Sequence, residues 1–497
     1  MDNIQQSSSN SKTFLSFSSV LSKDCLNIAK LLRLSGFSKR SGADVLTIFT
    51  VFIKSIFSGA NSLHDRYSIK DIESPNCSYY ALMRFISNPD HNWSLLLVLV
   101  EKAAFSLISS LNDKGHINTL CVDDTVIERP RGKKIEGLSR TFNHVIGKTV
   151  KGYTNLLITW TDGISNIPVA SELMTSRNED CVIRSLSKRI DRRSAGGKRR
   201  ANSVMRKPKL LIKLCKGILN KGIKAEYVLM DTWFYSDSLV ASLKELSLDS
   251  ICMIKKNLKF AFVEETVRHN LKYILSTLSQ RNHTSDIISS VVVQTESGQL
   301  VKLVFVRNRN NRKEFITLLS SNIKLTAEEI VELYSRRWSI ECCFKAAKQY
   351  LGLSSECFAR DYDSICALNR ISYIRFIVLE IIRRHEEDPR SHGQLFRDSC
   401  TAIKTISFID ALETLSVCFC SLIEALDKAG LIVKGKLNEA YKLAENIIEK
   451  WYDSISEFLK KLLAPTNIPS FLNFLFHWST VSVDWSNTFM NVGANKI

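Results

Sequence analysis

Between about residues 13 and 112, apolar positions recur every three or four residues, as in LSKDCLNIAKLLRLSGF and ADVLTIFTVFIKSIF. That period predicts amphipathic helices, with ends near Gly36 and Gly59. The run WSLLLVLVEKAAFSLISSL, starting at Trp93, approaches membrane-spanning length but is interrupted by Glu101 and Lys102, and it reads as a buried helix. Residues 1–12 form a Ser/Asn/Gln tail with no apolar period, expected to be disordered.

The period changes near 117. NTLCVDDTVI has strand composition, and KGYTNLLITWTDGISNIPVASELM reads as two strands joined by a turn at Asp162-Gly163. An amphipathic stretch at 206–222 precedes a short apolar strand, Tyr227 to Met230, which ends in Asp231. A helix over 237–247 and a strand in SICMIKKN follow. From 257 to 323 the pattern is β again, in SDIISSVVVQTES and QLVKLVFVRNR. A long helix is predicted from Thr326, where T-A-E-E offers a capping box with Glu329, to about Leu351, and helical spacing continues to the C-terminus. Strands followed by alternating helices and strands indicate an α/β core. The divisions are a helical N-terminal domain (1–115), the core in two parts (116–256 and 324–385) around a β-rich insertion (257–323), and a helical C-terminal region (386–497).

Composition narrows the function. The 497 residues are 45% hydrophobic and 24% charged, as in a globular chain, and only 19 Gly and 8 Pro punctuate them. Thirteen Cys, without a C-x-x-C pair, predict reduced structural thiols. The N-terminus lacks the basic and apolar regions of a signal peptide, no uncharged run is long enough to span a bilayer, and a cytoplasmic protein without membrane association is expected. The net charge of +18 is concentrated: Arg184 to Lys224 holds 15 Lys/Arg against one acid, Asp191. Such a stretch suits phosphate backbones, and Arg192, Arg193, Lys198, Arg199 and Arg200 are the candidate contacts.

Within YSRRWSIECCFKAAKQYLGL, Tyr334, Arg337, Glu341, Lys345 and Lys348 fall within an arc of about 80° on one uninterrupted helix. The spacing alone is equally that of an ordinary amphipathic helix with Arg337–Glu341 and Glu341–Lys345 ion pairs. Two further carboxylates, Asp123 (with Asp124 beside it) and Asp231, end predicted strands, where an unpaired acid is costly. Two Asp and a Glu make an all-oxygen donor set suited to Mg²⁺ or Mn²⁺, and a pair of such ions can activate and stabilise the two oxygens of a phosphodiester displacement. Asp162, in a turn, and Glu128, in a loop, are expected to stay outside such a site, and Trp233 and Trp338 to pack in the core or at a hinge.

These residues resemble the DDE transposases of bacterial insertion sequences, in the IS-four-like branch. The signature Y-x2-R-x3-E-x6-K is met by Tyr334, Arg337, Glu341 and Lys348, a D-x-T motif by Asp123 to Thr125, and D-x-x-F-Y-S by Asp231 to Ser236. The resemblance covers roughly 117–352 and implies an RNase H-like core, with Asp123, Asp231 and Glu341 as catalytic metal ligands and Asp124 as the alternative to Asp123. It also implies that Tyr334, Arg337, Lys345 and Lys348 hold DNA phosphates. A transposase of this kind binds the terminal repeats of its element, cleaves with two Mg²⁺ (or Mn²⁺) ions, joins ends to target DNA and works as a homodimer. Some relatives hold a flipped base with Trp in the insertion, and residues 257–323 contain none. A transposase-derived DNA-binding protein without cleavage and a structure-specific nuclease are the alternatives.

Overall fold

Strand β1 (Thr119–Glu128) sits inside an eleven-stranded sheet in the computed structural model of the chain. The structure describes residues 17–58, 77–109, 116–279, 286–308, 311–353, 355 and 359–385, and scattered positions between 392 and 443. On one side β1 pairs antiparallel with β3 (Lys148–Thr161), and on the other parallel with β5 (Tyr227–Met230), which pairs parallel with β6 (Asp249–Ile254). The far edge of β3 is shared by β2 (Ser139–Asn143) and β4 (Asn166–Met174). The turn into β4 is the expected one, with Gly163 at φ +98°, a conformation that costs glycine little.

The β-rich segment is present and continues the core sheet. Strands β7 (Lys259–Phe262), β8 (Arg268–Asn270), β9 (Ile287–Gln294), β10 (Leu300–Asn308) and β11 (Asn311–Ser320) return to the core because β11 pairs antiparallel with β6. A short helix at Leu271–Thr277, started by the Asn270 side chain accepting from the Tyr273 N–H, interrupts the β pattern there.

Helices α1 (Phe17–Leu21), α2 (Ile28–Leu34), α3 (Val45–Ser55), α4 (Tyr79–Ser87) and α5 (Trp93–Ser109) precede the sheet, as the apolar period requires. Gly36, at φ +78°, ends α2 as read from the sequence. Helices α6 (Ala195–Ser203), α7 (Lys207–Asn220) and α8 (Asp237–Glu245) join the strands, and Leu271–Thr277 is α9. The last described helices are α10 (Ala327–Ser335), α11 (Trp338–Gln349) and α12 (Tyr362–His385). Thr326 and Glu329 form the predicted capping box of α10.

Helix α12 packs against α5 and β4 and is buried along most of its length, yet it carries four charged residues that need partners. Asp363 meets Arg199 at 2.6 Å, Arg370 meets Glu172 at 3.1 Å, Arg375 donates to the carbonyls of Ile53 (3.1 Å) and Leu351 (2.8 Å), and Glu380 accepts from the Asn166 N–H at 2.8 Å. These bonds reach from α12 to α3, α6, β4 and the residue where β4 begins.

The chain divides into two units, Met1–Ser399 and Cys400–Ile497. In the second, the described positions include a turn closed by Gly430 at φ +70°. The expected tail at 1–12, the helix end at Gly59 and most of the helical region after 386 lie outside the described residues. All described cysteines are free thiols, and no described helix is long and apolar enough to cross a membrane.

Glu101, which interrupts the apolar run of α5, is fully buried, and its carboxylate oxygens meet no hydrogen-bond partner among the described residues. Burial pushes its pKa from 4.5 to about 8, so the folded chain holds a neutral acid at pH 7. The unfolded chain releases this proton near 4.5 and the folded chain near 8, so stability present at low pH is lost as pH rises through that window. The loss is at most about 1.4 kcal/mol per pH unit. Glu101→Gln is predicted to flatten the fall of Tm between about pH 5 and 8; equal slopes in thermal melts of the two proteins would contradict the assignment.

Candidate active site

The parallel ladder between β1 and β5 ends at Val122 opposite Met230. The next residues, Asp123 and Asp231, therefore stand level on neighbouring strands, which any sheet spaces about 4.8 Å apart. The expectation that Asp123 ends its strand is corrected: β1 runs on to Glu128, because β3 keeps pairing with it as far as Gly152. Only the partnership with β5 ends at Asp123. Each aspartate accepts a hydrogen bond from the following residue's backbone, Asp123 from the Asp124 N–H at 2.7 Å and Asp231 from the Thr232 N–H at 2.6 Å.

The predicted uninterrupted helix is two helices. At Arg336 and Arg337 the backbone tightens to i→i−3 hydrogen bonds, Arg337 N–H to Tyr334 carbonyl at 3.1 Å and Ser339 N–H to Arg336 carbonyl at 3.0 Å. Tertiary contacts hold this link against the sheet: Arg336 donates to the Ile117 carbonyl at 2.7 Å, and the Cys121 thiol donates to the Arg336 carbonyl. In such a tightened turn residues three apart eclipse one another, which sets the Arg337 guanidinium 5.9 Å from the centroid of the Tyr334 ring.

From there Arg337 reaches both sides of the site. Its Nη1 lies 3.0 Å from Asp123 Oδ2, and its Nη2 pairs with Glu341 one turn along α11. Burial pushes Asp123 up to about 6, and the charges of Asp124 and Asp231 add to the rise, while Arg337 and the Asp124 N–H hold it down. Of the two ion pairs that the helical spacing offered, Arg337–Glu341 forms among the described residues and Glu341–Lys345 does not. Lys345 is exposed, and Lys348 donates to Thr125 Oγ1 on β1 at 2.6 Å. Tyr334, Arg337, Glu341, Asp123 and Asp231 are thus gathered where the ladder between β1 and β5 ends.

Alternation along β1 turns Asp124 to the opposite face, where Lys207 meets it at 2.5 Å. Between the two acids of the first motif, Asp123 is the one beside Arg337. Asp162 accepts from the N–H groups of Ile164 (2.8 Å) and Ser165 (2.5 Å) in its turn, and Glu128 accepts from Asn143 at 2.8 Å; neither joins the site.

Asp123, Asp231 and Glu341 are hard oxygen donors of the kind that Mg²⁺ or Mn²⁺ prefers. Among the described residues, however, no group of three His, Cys, Asp or Glu is spaced to hold a metal ion. The Arg337 guanidinium bridges Asp123 and Glu341 in this arrangement, so an ion shared by the three carboxylates requires Arg337 to give up Glu341. In chemistry the donor set fits; in spacing, with that pair closed, it does not.

Two family models match the chain. One, described as a DDE superfamily endonuclease, covers residues 58–274, and the other, described as a transposase DDE domain, covers 207–364. The matches support a DDE transposase. Asp123 and Asp231 lie within the first DDE match, Asp231 and Glu341 within the second. No curated protein matches the chain significantly.

The basic stretch divides into two kinds of residue. Arg199 and Arg200 are buried, Arg199 against Asp363 and Arg200 against Glu136 (2.8 Å) and Asp363 (2.8 Å). This corrects their reading as phosphate contacts: their guanidiniums are engaged with carboxylates inside the fold. Arg192, Arg193 and Lys198 are exposed, Arg193 beside Asp191 at 3.2 Å. The expectation for the two tryptophans is corrected as well. Trp233 is 63% exposed and Trp338 65% exposed, so neither is in the core. The hinge alternative stands for Trp338, which opens α11 directly after the break at Arg336 and Arg337.

Arg199→Gln leaves Asp363 buried without its charge partner and is expected to lower stability by about 3–5 kcal/mol. Arg192→Gln and Lys198→Gln should change it by no more than about 0.5 kcal/mol. Urea unfolding of the three variants checks this; equal effects would mean that Arg199 is not the buried anchor.

Proposed function

We propose that the chain is a DDE transposase of the IS-four-like branch, with an RNase H-like core, that binds the ends of its element and carries out metal-dependent DNA cleavage and strand transfer. The observation carrying this reading is that β1 and β5 bring Asp123 level with Asp231 while Arg337 ties Asp123 to Glu341. Three antiparallel strands beside two parallel ones, in the order β4-β3-β1-β5-β6, support the RNase H-like assignment. The helical region before residue 116 is proposed to bind terminal repeats, and a homodimer to pair two ends.

Asp123, Asp231 and Glu341 are the residues that would hold Mg²⁺ or Mn²⁺. A divalent ion there supplies Lewis acidity, lowering the pKa of a bound water and stabilising charge on the leaving oxygen. The protein's own contribution is positioning. An incoming phosphate competes for the Arg337 guanidinium, which can grip it through two parallel N–H donors, and Glu341 is then free of its internal partner. Tyr334 keeps Arg337 in place from below, and Lys345 and Lys348, one and two turns beyond Glu341, face the neighbouring phosphates. Exposed Arg192, Arg193 and Lys198 add attraction at longer range that salt would screen.

Glu341→Gln keeps size and helix propensity and removes one anionic donor. With Mn²⁺ and a supercoiled plasmid carrying the gene and its flanking DNA, this variant is expected to nick at least about a hundredfold more slowly than wild type. Its affinity for the same DNA should stay within about threefold, because the lost charge faces phosphate. Normal nicking by the Gln variant would remove Glu341 from the metal site. A wild type that binds this DNA without nicking it would favour a transposase-derived DNA-binding protein instead.

A further inference from the structure

The helical region before the sheet holds a cleft of its own, which shares no residue with the carboxylate cluster. The loop between α2 and α3, residues 38–43, faces one side of α4 across a space of about 530 Å³, a volume that suits a small organic ligand. Lys39 and Arg40 on the loop and Arg84 on the helix line it. All three are exposed, and none pairs with a carboxylate among the described residues. Asp44, which follows the loop, is engaged in capping α3, where it accepts from the N–H groups of Leu46 (2.8 Å) and Thr47 (3.1 Å). Ser78 caps α4 by accepting from the Ala81 N–H at 3.2 Å, and both residues line the cleft, so the positive end of that helix adds to the field of the cations.

A buried imidazole closes the cleft. His91 is 2% exposed, and its ring is fixed in place: it stacks on Phe37 at 4.5 Å, meets Phe85 edge-on at 4.7 Å, and bonds through Nδ1 to the Phe85 carbonyl at 2.9 Å. A carbonyl can only accept, so the neutral ring carries its proton on Nδ1 and its Nε2 is an acceptor. That Nε2 meets no hydrogen-bond partner among the described residues. A buried polar atom without a partner is costly, and a hydroxyl brought in by a ligand would remove the cost.

These groups ask for one kind of molecule. Two guanidiniums and an ammonium suit a phosphate, which guanidiniums grip through paired N–H donors, and the His91 acceptor suits a hydroxyl. A sugar phosphate carries both. The backbone of a DNA duplex offers phosphate but no free sugar hydroxyl along its length, so it would satisfy the cations and leave His91 unpaired. We propose that the cleft between residues 38–43 and α4 binds a phosphorylated sugar of mononucleotide size, with Lys39, Arg40 and Arg84 on the phosphate and His91 accepting from a sugar hydroxyl. The site goes beyond the DNA chemistry proposed for the carboxylates and does not depend on it.

The probe is adenosine 5′-monophosphate, titrated calorimetrically into the full chain without DNA. Wild type is expected to bind it saturably, at least about tenfold more tightly than adenosine or inorganic phosphate alone. Arg84→Gln, an exposed substitution that should leave the fold intact, is expected to weaken binding about tenfold. Ala81→Met keeps every charge and a good helix former but fills the cleft, and should abolish binding. No binding by wild type, adenosine binding as tightly as its monophosphate, or equal binding by wild type and Arg84→Gln would overturn the proposal. Binding lost in Arg84→Gln but kept in Ala81→Met would reduce the effect to surface charge and overturn it as well. A chain that takes up a short DNA duplex but not the nucleotide, with duplex affinity lost in Arg84→Gln, would assign the cations to a DNA backbone instead. None of these results moves the nicking test with Glu341→Gln, so the two readings fail separately.

Discussion

Carboxylates standing level on adjacent strands repel one another, and in a half-buried position water cannot screen them well. Asp123 and Asp231 are in that position because the ladder of β1 with β5 ends just before both. The guanidinium of Arg337 answers the repulsion for Asp123 and carries it on to Glu341. Arg337 can do so because the polypeptide tightens at Arg336 and Arg337, docks there through Ile117 and Cys121, and turns Tyr334 beneath the guanidinium. Register on the sheet and a break between two helices thus fix one cluster. In the proposed reaction the same guanidinium is the group that a phosphate draws away, which couples arrival of DNA to release of Glu341.

The frame behind this edge is held by charge as well as by apolar packing. Arg199 and Arg200 join α6 to Asp363 at the start of α12, and Arg370 joins the middle of α12 to Glu172 on β4. Buried pairs of this sort are poor sources of net stability but costly to break singly, so they fix which helix lies on which strand. Part of the chain's excess positive charge is therefore internal. The part left at the surface lies in exposed residues such as Arg192 and Lys198 and in a cleft lined by Arg140, Arg177 and Arg206.

Much of the sheet was legible because strand composition and turn chemistry act locally. Asp162-Gly163 closes the β3–β4 turn, and Thr326 with Glu329 starts α10, as their side chains alone dictate. The break at Arg336 and Arg337 was not legible, because both residues are good helix formers and the tightening comes from contacts with β1, more than two hundred residues earlier. Charge density pointed to the basic stretch but could not separate Lys198 from Arg199, since which side of α6 is buried depends on Asp363. Asp123 and Asp124, adjacent in the sequence, are separated by strand alternation, the first beside Arg337 and the second beside Lys207. Exposure of Trp233 was hidden for the opposite reason: a Trp after an apolar strand looks like core until the fold leaves it without a cover.

The proposed divalent-ion site is the claim on which the functional account turns, and ion binding tests it without any knowledge of the element's ends. Mn²⁺ affinity can be followed by titration calorimetry on wild type and Asp231→Asn, each in the presence of a short duplex that occupies Arg337. The account predicts a saturable Mn²⁺ site in the wild type, weakened about tenfold or more by Asp231→Asn, and weakened also as pH falls below about 6, where Asp123 takes up its proton. Mn²⁺ binding that is absent from the wild type, or unchanged in Asp231→Asn, would contradict it.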